Sequence, residues 1–116
     1  RGRQKERNVP KMGFFDLFGN RPSFQEGLEK CRATPNAVLL DVRTREEYAS
    51  GHVPGSVNLP LDQISQIEKT GAGKESPLFV YCHSGARSGS ACAWLSRQGY
   101  QAENLGGITA YRGPLE

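Results

Sequence analysis

Apolar residues in this chain form short β-branched runs that alternate with amphipathic stretches. The runs at residues 36–42, 56–59 and 78–82 (NAVLLDV, SVNL and LFVYC) predict strands, and residues 101–105 (QAENL) predict a last short one. Turn-forming residues such as Pro and Gly bound these runs. Strands that alternate with helices are typical of βαβ units, so the pattern predicts an α/β domain built on a parallel sheet.

Two of the predicted helices begin with a capping box, in which a Ser or Thr is followed three residues later by Glu. The pairs are Ser23 with Glu26 and Thr44 with Glu47. The first helix, within residues 21–33, presents one apolar face. That face consists of Phe24, Leu28 and Cys31. We therefore expect Cys31 to be a core residue, as free cysteines usually are.

Two further segments have apolar residues at helical spacing. Residues 61–69 (LDQISQIEK) place Leu, Ile and Ile three residues apart, which predicts a helix. Residues 86–100 predict another helix, with a stripe of Ala91, Trp94 and Leu95 and with Gly99 past its end. Residues 106–113 predict a turn or a short terminal helix.

The N-terminal segment is unlike the rest of the chain in charge. Residues 1–11 hold five basic side chains and one acidic side chain, a net charge of +4, which leaves −1 of the formal total of +3 for the remainder. Because the segment has few apolar side chains, we expect residues 1–20 to be an arm, partly disordered or not native, and residues 21–116 to be the domain. A nucleic-acid-binding face is not expected; an acidic partner for the arm is the alternative.

Cysteine and apolar content limit the class of protein. Three cysteines in a chain of 116 residues do not suggest a disulfide framework, and no Cys or His spacing suggests a metal site or a cofactor. The apolar runs are shorter than the ~20 residues that a membrane span needs. We therefore expect a cytoplasmic protein. The apolar segment at residues 13–18 is predicted to pack on the domain, and a dimer contact or a membrane surface is the alternative.

The segment CHSGARS, residues 82–88, joins the predicted strand at 78–82 to the helix that follows. Ligand sites in parallel sheets lie at the carboxyl ends of the strands, so Cys82 stands where a site is expected. Small residues at 84–86 let the backbone turn so that several N–H groups at the helix start converge, which favours an anion. With Arg87 nearby, the pKa of Cys82 should fall below the free value of ~8.5 and give a thiolate nucleophile. The alternative is a buried, inert cysteine.

Four other residues invite a functional interpretation. Asp41 ends its strand on the same side of the sheet and could orient the loop or Arg43; the alternative is that both residues only cap and pack the next helix. His52 is expected to stabilise a turn through a hydrogen bond rather than to bind a ligand. Cys92, inside the last long helix, is expected to pack in the core, with a resolving thiol as the alternative.

Three motifs together resemble the rhodanese family of single-domain sulfurtransferases. Residues 82–88 match its C-x-S-G-x-R-S loop, and residues 39–60 (LLDVRTREEYASGHVPGSVNLP) match its Asp-Val-Arg to Gly-His-Ile-Pro-Gly signature. Residues 105–113 (LGGITAYRG) match its Gly-Gly pair, with Tyr111 where many members carry Trp. The resemblance spans about residues 22–113. It implies a small parallel sheet of about five strands with helices on both faces, for which residues 20–24 are the candidate first strand.

The resemblance also implies a reaction. Cys82 would take a sulfane sulfur from an anionic donor such as thiosulfate, and the resulting persulfide would pass it to cyanide or a thiol, or to a sulfur-relay protein. The binding residues would be those that follow the nucleophile. They are His83, Ser84, Gly85, Ala86, Arg87 and Ser88. Asp41 and Arg43 would support this site.

Two alternatives to a sulfurtransferase stay open on the sequence. Cysteine phosphatases and arsenate reductases of a related fold have five residues between Cys and Arg, whereas four residues separate Cys82 from Arg87. The shorter spacing makes a tighter ring of amides, which favours a single sulfur atom over a phosphate. A noncatalytic rhodanese-like module is the other alternative, although this chain keeps both the cysteine and the arginine.

Overall fold

The computed structural model describes residues 22–116, and its sheet is fully parallel. The four strands within these residues are β1 (Val38–Asp41), β2 (Val57–Asn58), β3 (Leu78–Cys82) and β4 (Ala102–Gly107). Their order across the sheet is β2-β1-β3-β4. The predicted α/β domain with a parallel sheet is confirmed.

Helical segments connect the strands. They are α1 (Phe24–Ala33), α2 (Arg45–Ser50), a 3-10 segment (Leu61–Thr70), α3 (Ala86–Arg97) and a 3-10 turn (Ile108–Ala110). None of the helices within residues 22–116 has the length and apolar composition that crossing a membrane requires.

Side chains of the central strand β3 alternate between two separate cores. Leu78, Val80 and Cys82 point to one face, where the 3-10 segment and α3 pack. Phe79 and Tyr81 point to the other face, where α1 packs. Because neighbouring residues of a strand project on opposite sides, a strand that is buried throughout needs apolar cover on both faces. The predicted placement of helices on both faces of the sheet is confirmed.

Both predicted capping boxes form. The Ser23 hydroxyl accepts the Glu26 amide at 3.1 Å, and the Glu26 carboxylate accepts the Ser23 amide at 2.9 Å. Thr44 and Glu47 make the same two hydrogen bonds at the start of α2, at 3.1 and 2.9 Å. Each box pairs backbone groups that a helix start leaves without an intrahelical partner.

The helix predicted at residues 61–69 forms as a 3-10 segment that is interrupted at Gln66. Apolar residues spaced by three fit a helix with three residues per turn as well as an α-helix. The predicted first strand differs from the structure. Residues 22–24 form no strand: Ser23 caps α1 and Phe24 begins it, so the predicted first strand is wrong there. Residues 20 and 21, the proposed arm and the apolar segment at 13–18 lie outside the described residues.

Candidate active site

Three neighbouring strands end at the same edge of the sheet and bring the candidate residues together. β1 ends at Asp41, β3 at Cys82 and β4 at Gly107, and Cys82 is in register with Gly107. Ligand sites of open parallel sheets lie at this carboxyl edge. The loop at residues 83–85 then leads directly into α3.

The sulfur of Cys82 accepts hydrogen bonds from the loop and from the start of α3. The Gly85 amide donates to it at 3.0 Å, the Ser88 amide at 3.3 Å, and the Ser88 hydroxyl lies 3.4 Å away. Gly85 is the N-cap of α3, with φ at +105°, and it has no side chain to cap the helix. The thiol therefore takes the place of a capping oxygen, because it accepts the amide of Ser88, the third residue of the helix.

These hydrogen bonds oppose the effect of burial on the pKa of the thiol. Cys82 is fully buried, and burial by itself raises the pKa because it disfavours the thiolate. Hydrogen bonds from the Ser88 hydroxyl and from the amides of Ser88, Gly85 and Ser84 stabilise the thiolate and outweigh burial, so the pKa of Cys82 lies below its usual range. The site thus favours a sulfur anion.

The other loop residues lie around the mouth of the site. His83, Ser84 and Ala86 are exposed, whereas Ser88 is buried. One cleft of about 430 Å³ borders His83, and another of about 630 Å³ borders Ser84 and Gly85. Cys82 lines neither cleft, so a reactant has to pass the loop to reach the sulfur.

The glycine pair at the end of β4 lets the loop pack directly on the sheet. A Cβ atom at Gly107 would collide with the His83 carbonyl oxygen and lie 2.7 Å from the Ser84 Cα. Gly106 has φ at +101°, a conformation that glycine adopts without strain. The Gly-Gly motif noted in the sequence therefore has a steric reason: any larger residue at 107 would push the loop away from β4.

Asn104 is a site residue that the sequence analysis missed. Its amide nitrogen donates to the Gly85 carbonyl at 3.2 Å, and its oxygen accepts the Gly106 amide at 2.9 Å and the Ser88 hydroxyl at 2.7 Å. It thus joins β4 to Gly85 and Ser88, two of the residues that donate to the Cys82 sulfur. A polar residue two positions before the Gly-Gly pair was the available signal, but nothing local connects it to the loop.

Arg87 is paired with an acidic side chain and is not a free cation beside the sulfur. It forms a bidentate ion pair with Glu47 of α2, with N–O distances of 2.8 and 3.1 Å. Hydrogen bonds from Arg87 and from the Thr44 amide lower the pKa of Glu47 to about 2. The sequence analysis identified Glu47 as part of a capping box, but not as the partner of Arg87.

Asp41 and Arg43 form a buried ion pair beside the site. The Arg43 guanidinium donates to the Asp41 carboxylate at 2.7 to 3.0 Å and to the Gly51 carbonyl at 2.8 Å. The ion pair fixes the Arg43 side chain, which is one of the roles considered for Asp41. Among the described residues, neither side chain hydrogen-bonds to residues 82–88. Arg43 instead lines the cleft that borders His83.

The other two cysteines lie in the two cores, as predicted. Cys31 packs in the core beneath α1, and Cys92 packs in the core beneath α3. Burial raises the pKa of both thiols, and that of Cys92 to about 12. Such a thiol is protonated at neutral pH, which argues against a resolving role for Cys92.

His52 has the structural role that was predicted. Its Nδ1 lies 2.9 Å from the Tyr48 carbonyl oxygen at the end of α2, and its ring stacks on the Tyr48 ring with centroids 3.7 Å apart. The imidazole therefore fixes the turn that follows α2.

Comparison with known protein families identifies the domain. The family model described as Rhodanese-like domain matches residues 23–113. The chain belongs to the rhodanese-like family. The resemblance drawn from the three motifs is thereby confirmed, and the strands and loop described above are those of a rhodanese-like domain.

Individual relatives agree with this assignment. A protein from Allochromatium vinosum named "Sulfurtransferase" is 42% identical over 85 residues, which cover 72% of this chain and 78% of that one. "Thiosulfate sulfurtransferase PspE" of Escherichia coli is 39% identical over 71 residues, 60% of this chain and 68% of that one. A rhodanese-like domain protein from Staphylococcus aureus superposes with a TM-score of 0.70 at 30% identity, covering 81% of this chain and 93% of that one. These relatives place this rhodanese-like chain among sulfurtransferases.

Proposed function

We propose that this chain transfers a sulfane sulfur from an anionic donor such as thiosulfate to cyanide or a thiol through a persulfide on Cys82. The observation that supports the proposal most directly is the set of amide hydrogens that point at the Cys82 sulfur. Such donors stabilise an anion that forms beside them, and they do so without an unpaired cation. Similarity to sulfurtransferases supports the class of reaction.

In the first step, the Cys82 thiolate attacks the outer sulfur of thiosulfate. A bond forms between the two sulfur atoms, the S–S bond of thiosulfate breaks, and sulfite leaves with the electron pair. Cys82 then carries a persulfide anion. Because the charge moves outward by one sulfur atom, the amides of the loop remain close enough to stabilise it.

In the second step, the acceptor removes the outer sulfur. Cyanide attacks that atom, the persulfide S–S bond breaks, and thiocyanate leaves while the electron pair returns to the Cys82 thiolate. A thiolate acceptor reacts in the same way and leaves as a persulfide. Neither step changes the net number of electrons, so no external oxidant or reductant is needed.

The surrounding residues have supporting roles in this proposal. The amides of Ser84, Gly85 and Ser88 hold the sulfur anion, and His83 lines the mouth. Arg87, held by Glu47, contributes its charge from the side of the loop. Asp41 fixes Arg43 at the wall of the neighbouring cleft. A sulfur-relay protein as acceptor and a cytoplasmic location both stay predictions.

Sulfur uptake tests the proposal directly. The protein is incubated with thiosulfate, and its intact mass is measured before and after treatment with a reductant. We expect a gain of one sulfur atom that the reductant removes, and no gain in Cys82→Ala. Cys92→Ala is the matched control, because Cys92 lies in the core and should leave the uptake unchanged.

The other outcomes identify the alternatives. Hydrolysis of a chromogenic aryl phosphate without sulfur uptake would indicate a phosphatase. The enzyme assignment would be contradicted if the protein took up no sulfur from thiosulfate, polysulfide or glutathione persulfide and also did not hydrolyse the aryl phosphate. That result would favour a noncatalytic module. Sulfur uptake that survives Cys82→Ala would place the persulfide on another cysteine and refute the proposed site.

A further inference from the structure

Three hydrogen bonds fix the orientation of the Asn104 side-chain amide. The oxygen accepts the backbone amide of Gly106, so the nitrogen must face the Gly85 carbonyl, which can only accept. The opposite assignment would place two donors, or two acceptors, against each other. Asn104 therefore holds the end of β4 and the N-cap of α3 in one arrangement.

The Ser88 hydroxyl links this arrangement to the sulfur. It has one hydrogen, while the Asn104 oxygen at 2.7 Å, the Gly85 carbonyl at 3.1 Å and the Cys82 sulfur at 3.4 Å lie within reach. Because a hydroxyl donates one hydrogen bond at a time, its direction depends on which acceptor is most negative. When the hydrogen is donated to the Asn104 oxygen, this short hydrogen bond holds Ser88 in place beside the sulfur, and the Ser88 backbone amide still donates to the sulfur.

We propose that Asn104 is a positioning residue for Cys82, which holds Gly85 and Ser88 where both can donate hydrogen bonds to the sulfur. Asn104 does not itself hydrogen-bond to the sulfur and acts through these two residues. The inference rests on the proposed function in one respect: these hydrogen bonds matter because the proposed reaction passes through a sulfur anion on Cys82. The arrangement of Asn104, Gly85 and Ser88 is the same whichever compound supplies the sulfur.

The charged groups around the loop do not replace this role. Arg87 of α3 is paired with Glu47 of α2, and Asp41 at the end of β1 is paired with Arg43. Both ion pairs would remain in an Asn104 variant. A change in the ionisation of Cys82 would therefore report on the hydrogen bonds that Asn104 maintains rather than on lost charge.

The test is the pH dependence of alkylation of Cys82 by iodoacetamide in the Asn104→Leu variant. Leucine has a similar size and keeps neither hydrogen-bonding group. We expect the midpoint of the profile to rise by about one pH unit, because the thiolate loses well-aligned donors. Asn104→Ala, which leaves less bulk at this half-buried position, should shift the midpoint in the same direction.

Glu103→Gln is the matched control, since Glu103 is the neighbouring residue on β4 and pairs with Lys30 on the surface. We expect this variant to keep the wild-type midpoint. An unchanged or lower midpoint in either folded Asn104 variant would overturn the inference, as would an equal shift in Glu103→Gln. Alkylation requires no sulfur donor, so a wild type that takes up no sulfur would refute the proposed function while leaving this test valid.

Discussion

Cys82 and Cys92 are both buried, yet their thiols are expected to behave in opposite ways. Their exposed fractions are 0% and 9%, and they belong to the same core beneath α3. The pKa of Cys82 lies below its usual range, whereas burial raises the pKa of Cys92 to about 12. Burial alone therefore does not decide whether a cysteine in this protein is ionised.

The difference lies in the backbone around each sulfur. Cys82 lies just before the start of α3, where amide groups have no intrahelical partner and can point at the thiol. Cys92 lies inside α3, where the backbone amides are used within the helix. No hydrogen bond to the Cys92 sulfur is found among residues 22–116. A helix start can thus stabilise an anion in a buried place where a helix interior cannot.

The largest expected effect is the difference in reactivity between these two thiols. The pKa of Cys92 is raised from the ordinary value of 9.0 to about 12, whereas that of Cys82 lies below the ordinary value, so the thiolate fraction at neutral pH should be more than about a thousandfold higher at Cys82. A more basic thiolate is a better nucleophile, which favours Cys92. The expected difference in alkylation rate is therefore smaller than the difference in thiolate fraction, about 30-fold or more. Alkylation of the native protein, followed by peptide mass spectrometry, measures both rates. Equal rates would show that access to the thiols, rather than ionisation, controls reactivity.

A smaller effect is expected when one donor to the Cys82 sulfur is removed. Ser88→Ala deletes the hydroxyl and keeps the backbone amide, so the pKa of Cys82 should rise by about one unit. The alkylation profile of Cys92 should not move. Ser90→Ala is the control, because Ser90 is exposed on the same helix. A fall in the pKa of Cys82 would mean that the hydroxyl does not stabilise the thiolate.

The smallest effect is expected at the ion pair beside the loop. The pKa of Glu47 falls from its ordinary value of 4.5 to about 2 in the folded protein, so its stabilisation is present above about pH 4.5 and is lost as the pH falls toward 2. Glu47→Gln keeps the capping box but removes the charge. Because the pair is partly exposed, the variant should lose only about 0.5 kcal/mol of unfolding free energy at neutral pH.

Denaturant unfolding at several pH values measures this contribution. The difference in unfolding free energy between wild type and Glu47→Gln should shrink as the pH approaches 2, since Glu47 is then protonated in both states of the wild type. A difference that stays constant with pH would assign the effect to packing. The same variant leaves Arg87 unpaired, so its Cys82 alkylation profile shows whether charge adds to the effect of the amides.

Local patterns were sufficient for most of the fold. The runs LFVYC and NAVLLDV predicted β3 and β1, and Ser-x-x-Glu and Thr-x-x-Glu predicted the starts of α1 and α2. These features depend on residues close together in the sequence, where spacing reflects helix or strand geometry directly. Spacing by three did not distinguish a 3-10 segment from an α-helix at residues 61–70, since both bury the same side chains.

The sequence by itself determined that a cysteine ends a strand at the start of a helix, and three motifs were enough to identify the family. Only the tertiary structure decided which side chains surround that cysteine. Glu47 pairs with Arg87 across 40 positions, and Asn104 meets Ser88 across 16. Such contacts arise because parallel strands place their carboxyl ends side by side, however far apart they are along the chain.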